Sequence, residues 1–346
     1  MLNKKVNPRE ELISLLRGFF ATPIISLLGR TGIINRINSK KFQIKDCKEI
    51  KNKVFLESIL SYLESIGLLK KKNKTYTRTF LGKKILSRSG SFHLIHSYAP
   101  FINNLEEILK SKTKKNIQCD RNENILGSGL TNGRKFFPKA LELIKDDDFD
   151  IVADIGCGNG DFLSKTISKK PKSIFFASDI SSKALSETKF NLKRKFPRKK
   201  ITYLKSNAID VNRWSKALNN ISSKKNQKIL ISMWYVIHEI SQSNKNIIVN
   251  FFKKVNKFCP SANIMIGEII DIDKTVLANN KNLSIMPEFL FFHEISGQGV
   301  LKKKDFEFIL KNIPYKLEKS AEYDYVTYKK NKIPSAFVWY LKPVNK

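Results

Sequence analysis

The sequence predicts an α/β protein in two parts: a helical first part, then a parallel sheet wound with helices on both faces. Two observations predict it. From residue 148 onward short apolar runs alternate with helical segments, and before that the pattern is helical apart from one tight hairpin. Length agrees, because 346 residues exceed one comfortable core. The expected division is a helical domain over 1–110 and a sheet domain over 111–346.

The sheet is read from five runs, "FDIVADIG" (148–155), "SIFFASDI" (173–180), "ITYLKSNAI" (201–209), "KILISMW" (228–234) and "ANIMIGEII" (262–270). Helical stretches such as "NIIVNFFKKVNKF" (246–258) lie between them. Alternation of this kind gives a parallel sheet covered on both sides, with ligands at the carboxyl ends of the strands. In the first part, Leu56, Ile59, Leu60, Leu63 and Ile66 form one helical stripe, and Gly67 follows as a C-cap. "LLKKKNKTYTRT" then reads as two short strands around a turn at 72–74, and "FLGKKIL" (80–86) returns to helical spacing. Helix, hairpin and helix make a winged helix, a module that binds DNA in some proteins and pairs subunits in others. The stretch 12–34, "LISLLRGFFATPIISLLGRTGII", is apolar nearly all round, which favours burial in a dimer over a solvated DNA-binding arm. Residues 110–130 are polar and aperiodic and read as the connection between domains.

Composition narrows the function classes. Apolar residues make up 41%, enough for a globular fold. The formal net charge of +33 speaks to solubility and non-specific attraction. The lysines are scattered, so clusters such as "KRKFPRKK" (193–200) read as solvated faces, and no specific nucleic-acid partner is expected. Cys47, Cys119, Cys157 and Cys259 are far apart and suggest neither zinc nor a disulfide framework. No apolar run approaches eighteen residues and the N-terminus lacks a cleavage site, so neither a membrane span nor a leader is expected, and the cytoplasm is the default.

"VADIGCGNGDFL" (152–163) ends the first strand of the sheet half and opens a helix. Gly156, Gly158 and Gly160 alternate, so a ligand can approach the backbone where no Cβ stands in the way. Dinucleotide folds space the third glycine one residue later. With Asp154 two residues ahead, the loop resembles the S-adenosylmethionine signature of class I methyltransferases. The resemblance implies that Asp179, ending the second strand, accepts the ribose hydroxyls, and that Asn207 and Ala208 contact adenine. Ser232 on the fourth strand joins the cofactor-binding set. The likeness covers roughly residues 145–345, and the winged-helix part extends it to nearly the whole chain.

The acceptor of the methyl group turns on two of the four histidines. His238 in "YVIHEI" and His293 in "FFHEIS" share the dipeptide His-Glu. An N-P-P-Y-like tetrapeptide of amino-nucleobase methyltransferases is missing after the fourth strand. The winged helix plus this sheet resembles small-molecule O-methyltransferases, in which a histidine at the place of His293 acts as general base. That reading leaves His238 idle. Imidazole favours zinc, iron, copper and nickel, and two imidazoles leave positions that an α-keto acid fills with two oxygens. "SMWYVIHEI" and "MPEFLFFHEISGQG" are similar to the α-keto acid C-methyltransferases, those acting on 2-ketoarginine and phenylpyruvate. This resemblance implies a homodimer, a His238–His293 pair holding iron, and methylation at C3 of a keto acid through a chelated enolate. It also makes Glu239 a carboxylate that orients a ligand; Glu294 is either part of the site or structural. Arg134 either pairs with the substrate carboxylate or is a surface arginine. For the substrate side chain, Glu288 or Asp271 would suit a guanidinium, while "FLFF" (289–292) lines a pocket for an aromatic ring or is core.

Overall fold

The computed structural model describes residues 7–39, 41–111, 117–221, 227–279 and 285–344. It divides into two compact units, Met1–Thr131 and Asn132–Lys346.

The first unit carries the expected winged helix. Helix Lys53–Ser65 buries Leu56, Ile59, Leu60 and Leu63 and is capped at its start by the Asn52 side chain. Gly67 stands just past its end with φ 78°. Strands β1 (Leu69–Lys72) and β2 (Thr75–Arg78) form the hairpin. Asn73 and Lys74 both take positive φ, the two-residue turn whose twist matches the strands. Helix Phe80–Leu86 follows, with Gly82 so close to Leu68 that a Cβ would fall 1.8 Å from its carbonyl oxygen.

The stretch 12–34 behaves differently along its length. Helix Pro8–Arg30 has the length and apolar composition to cross a membrane, which the run-counting of the sequence missed because Arg17 interrupts it. Its second half is anchored, however, with Ala21, Ile25 and Leu28 in one core with Leu60 and Leu63. Its first half is exposed, Leu15, Phe19 and Phe20 at 67%, 70% and 58%.

Residues 121–130 are not a loop: helix Arg121–Leu143 runs through them and through the division between units. Periodicity fails there because small residues make the contacts. A Cβ on Gly127 would lie 2.6 Å from the Leu94 amide nitrogen, and one on Gly90 would lie 3.1 Å from the Gly127 carbonyl oxygen. The helix also brings in Glu123, buried at 1% exposure, which accepts from Ser26 Oγ (2.5 Å) and His93 Nδ1 (2.6 Å) and pairs with Arg30 (2.8 Å). Burial pushes its carboxyl up, but the Ser26 and His93 hydrogen bonds outweigh that, so the net shift is downward.

In the second unit the five expected strands are β3 (Ile151–Ile155), β4 (Ile174–Asp179), β5 (Ile201–Lys205), β6 (Ile229–Trp234) and β7 (Ala262–Ile269), all parallel. The structure adds a long hairpin, β8 (Tyr315–Tyr328) and β9 (Asn331–Pro343), and β9 joins β7 antiparallel. The sheet order is β5-β4-β3-β6-β7-β9-β8. Side chains alternate between two cores, Ile151, Ala153 and Ile155 in one and Val152 in the other, with Ile229 and Ile231 opposed to Leu230 in the same way. The order reverses between β3 and β6, and sheets of this kind bind their ligands at the carboxyl ends beside such a switch point.

Removing a partner from a buried ion cluster costs about 3–5 kcal/mol. Glu123→Ala should lower the urea unfolding midpoint of the first unit accordingly; an unchanged midpoint would contradict this. Because the folded carboxyl titrates low, the stabilisation is present above the ordinary carboxylate range and lost as pH falls through the folded value.

Candidate active site

The glycine loop and its carboxylates lie at the switch point. Gly156, Gly158 and Gly160 all take positive φ, at 79°, 56° and 77°. The loop needs them, since a Cβ on Gly156 would meet Val236 at 2.6 Å and one on Gly160 would meet Thr188 at 2.7 Å. Asp179, ending β4, accepts from Gly158 N–H (3.0 Å) and Ser181 N–H (2.8 Å), so the loop and the acid are braced together. Asp154 on β3 sits opposite Ser232 on β6 and accepts from its hydroxyl at 2.7 Å. Burial, reinforced by the charge of Asp179 and opposed by Ser232, pushes the Asp154 carboxyl up to about 7. Asn207 is exposed and Ala208 half-buried just beyond β5; the Ala208 carbonyl accepts from Trp214 Nε1 at 2.9 Å.

Both histidines are brought together. Their ring centroids are 4.9 Å apart at 76°, and the two residues are 5% and 3% exposed. His238 reaches its place through Tyr235, which takes φ 56° and donates its N–H to the Gly267 carbonyl. A non-glycine residue in that conformation stores about 1–3 kcal/mol, a strain that collects at functional sites. His238 then lies on the short helix Ile237–Ser241, and His293 on helix Met286–Ser296. The two helices are clasped. Gly299 donates its N–H to the His238 carbonyl (3.2 Å) and accepts from Ser241 Oγ (2.6 Å). No side chain fits at Gly299, since a Cβ would fall 1.7 Å from the Ser243 nitrogen.

Each imidazole is pinned through Nδ1. His293 Nδ1–H donates to the Phe289 carbonyl at 2.7 Å, and the Phe289 ring stacks on it at 3.8 Å. His238 Nδ1–H donates at 2.8 Å to Glu268, which is next to last in β7 and fully buried. The sequence reading gave the orienting role to Glu239, which is half-buried on the same short helix as His238. Glu268 was missed, although a single carboxylate in the apolar run "IMIGEII" is a signal, since burying one demands partners. In this tautomer the lone pair of each ring is on Nε2, the form required of a metal ligand or a base. Burial, with the charge of His238 adding to it, brings the His293 pKa down to about 3.

The remaining expected residues are dispersed. Glu288 and Glu294 are exposed, Glu294 lying 4.0 Å from Lys274. Asp271 is half-buried and its carboxyl is raised by burial, with Lys302 opposing. Arg134 lies on helix Arg121–Leu143, and its side chain falls outside the described residues. The described residues hold no group of three or more His, Cys, Asp and Glu suited to a metal. The donor set fits a metal only as a pair of neutral, oriented imidazoles with the other positions left to a ligand.

Residues 17–112 match the family described as the AprA winged helix domain. No curated protein matches the chain. Solved structures resemble it over nearly their full lengths, among them these three. Human N-acetylserotonin methyltransferase in complex with S-adenosylmethionine is 12% identical, covering 98% of this chain and 99% of that one, with a TM-score of 0.59. An O-methyltransferase family protein from Burkholderia thailandensis is 11% identical, covering 98% of each chain, with a TM-score of 0.61. The Streptomyces davawensis N,N-8-amino-8-demethyl-D-riboflavin dimethyltransferase is 10% identical, covering 97% and 99%, with a TM-score of 0.54. This chain has the class I methyltransferase fold with an N-terminal winged helix.

With a pKa near 3, His293 should stay neutral between pH 5 and 8 in the ligand-free protein. Nitrogen-15 chemical shifts of its ring report this directly; an imidazolium at pH 6 would contradict the geometry.

Proposed function

We propose that the protein is an S-adenosylmethionine-dependent methyltransferase acting on a small molecule, and that it methylates C3 of an α-keto acid. The fold, the glycine loop and Asp179 support the cofactor. The finer reading is carried by one observation: two buried imidazoles meet edge to face, and each is held in the same tautomer by its own acceptor. Iron bound by His238 and His293 would act as a Lewis acid at the keto oxygen, easing loss of the C3 proton.

The chain's own residues supply positioning. Glu268 fixes the His238 ring, and the Phe289 carbonyl fixes His293. Asp179 and the glycine loop hold the cofactor so that C3 approaches the sulfonium methyl in line. The C3–H bond breaks with its proton passing to solvent water, the electron pair left on C3 forms the new C–C bond, the S–CH3 bond breaks, and a neutral thioether leaves. Tyr235 and Phe289 flank the imidazoles. Aromatic faces accept an aryl side chain and also a stacked guanidinium. 2-Ketoarginine (5-guanidino-2-oxopentanoate) is the first substrate to test, beside phenylpyruvate.

A second reading, O-methylation, is favoured by the His238–Glu268 pair, a base oriented by a carboxylate, and by neighbours named as O-methyltransferases. In that case the base is His238 rather than His293, because a pKa near 3 is far from the operating pH. The readings separate cleanly. Under C-methylation, His238→Ala and His293→Ala each abolish turnover by at least 100-fold, and chelator stops the reaction until ferrous or ferric iron is restored. Full activity in chelator would end the metal reading. In either case Asp179→Ala should abolish S-adenosylmethionine binding in calorimetry with the fold retained, and unchanged affinity would remove Asp179 from the site.

The chain is further expected to pair with a second copy. Leu12, Leu15, Leu16, Phe19 and Phe20 are exposed around the free half of helix Pro8–Arg30. At roughly 100 Å² each they reach about 1,000 Å² over two copies, near the lower bound for a specific interface. Light scattering should give a dimer, and Leu16→Ser with Phe19→Ser should give a monomer. A monomeric wild type would contradict the pairing.

A further inference from the structure

The residues after helix Met286–Ser296 form a strap between the two histidines. Gly297 closes the helix at φ 75°. The next two amides then serve different elements. Gln298 donates its N–H to the His293 carbonyl at 2.9 Å, and Gly299 donates its N–H to the His238 carbonyl at 3.2 Å. Consecutive peptide units thus hold the backbones of both imidazole-bearing residues.

Ser241 anchors the strap. Its side chain is fully buried, and its hydroxyl stands 2.6 Å from the Gly299 carbonyl and 3.3 Å from the His238 carbonyl. A hydroxyl has one proton, and the shorter contact takes it. The same oxygen accepts from Ser243 N–H at 3.3 Å. Gln242 and Ser243 carry the chain away at φ 44° and 64°. Left-handed backbone at two successive non-glycine residues persists only where its surroundings over-determine it. Gly299 lies against that turn with no room for a side chain, since a Cβ would fall 2.4 Å from the Gln242 carbonyl carbon.

We propose that Ser241 is a positioning residue for the reaction: its hydroxyl holds the strap 297–299, and the strap sets the separation of the His238 and His293 imidazoles to suit one shared metal ion. The assignment rests on the metal reading above. Ser241 acts only through the backbones of the two ligands. Glu268 and the Phe289 carbonyl pin each ring on its own element, and neither joins one histidine to the other. Apolar packing between the elements is non-directional and lets them slide. Metal–ligand distances tolerate only about 0.2 Å, so directed hydrogen bonds must span the gap. Those of the strap do.

Cobaltous ion tests this without turnover, because its visible absorption reports imidazole coordination and a titration gives its affinity. Ser241→Ala removes the hydroxyl and adds neither charge nor bulk. It should weaken cobalt by about 10- to 100-fold, the usual effect of losing a group that orients a metal ligand, at a temperature where circular dichroism shows an intact fold. A merely structural role would lower the thermal midpoint and leave the affinity below it unchanged. Wild-type affinity in the variant therefore overturns the proposal. If the wild type itself binds no cobalt, the metal reading fails and the assignment with it. Should the variant misfold, the wild type still decides. Coupling is reciprocal, so a bound metal must tighten the strap. Zinc should slow deuterium exchange at the Gln298 and Gly299 amides by about tenfold more than at the amides of helix Ser182–Lys195, which packs on β4 and β5. No greater slowing at the strap overturns the proposal.

Discussion

A carboxylate buried in an apolar strand must be met by donors, and Glu268 is met by three. It accepts from the His238 imidazole and backbone N–H and from the N–H of Ile269. That one side chain ties the end of β7 to the turn after β6, sets the tautomer of His238 and fixes its ring. The rest of the site follows. With His238 fixed, the clasp at Gly299 determines where helix Met286–Ser296 can lie, and so how close His293 comes. Removing Glu268 would do more than delete a hydrogen bond, because it would release the frame that brings two elements of distant sequence within one ring contact.

The local electrostatics run against the composition. A chain of net charge +33 repels a cationic cofactor at long range. At the switch point the order is reversed, with Asp179 accepting from the Gly158 N–H of the glycine loop and its charge adding to the burial that raises the Asp154 carboxyl.

Much of this was legible in the sequence. The five strands from 148 to 270, the three glycines and the winged helix carry period, spacing and turn signals that depend on local physics. The pairing of His238 with His293 came from a repeated dipeptide, although the glutamates beside them differ in setting, Glu239 half-buried and Glu294 exposed. Glu268 escaped because its partner is thirty residues away and only the β6–β7 register brings them together. Helix Arg121–Leu143 escaped because glycines, not apolar side chains, make its contacts.

The central claim is that the paired imidazoles serve transfer of a methyl group to carbon. Turnover with cofactor labelled by carbon-13 at the methyl, across a panel of keto acids and hydroxylated compounds, followed by carbon NMR of the product, tests it most directly. The account predicts a labelled methyl coupled to C3, with deuterium at C3 lost in the same turnover. A labelled methyl bonded to oxygen, with C3 deuterium retained, would contradict it.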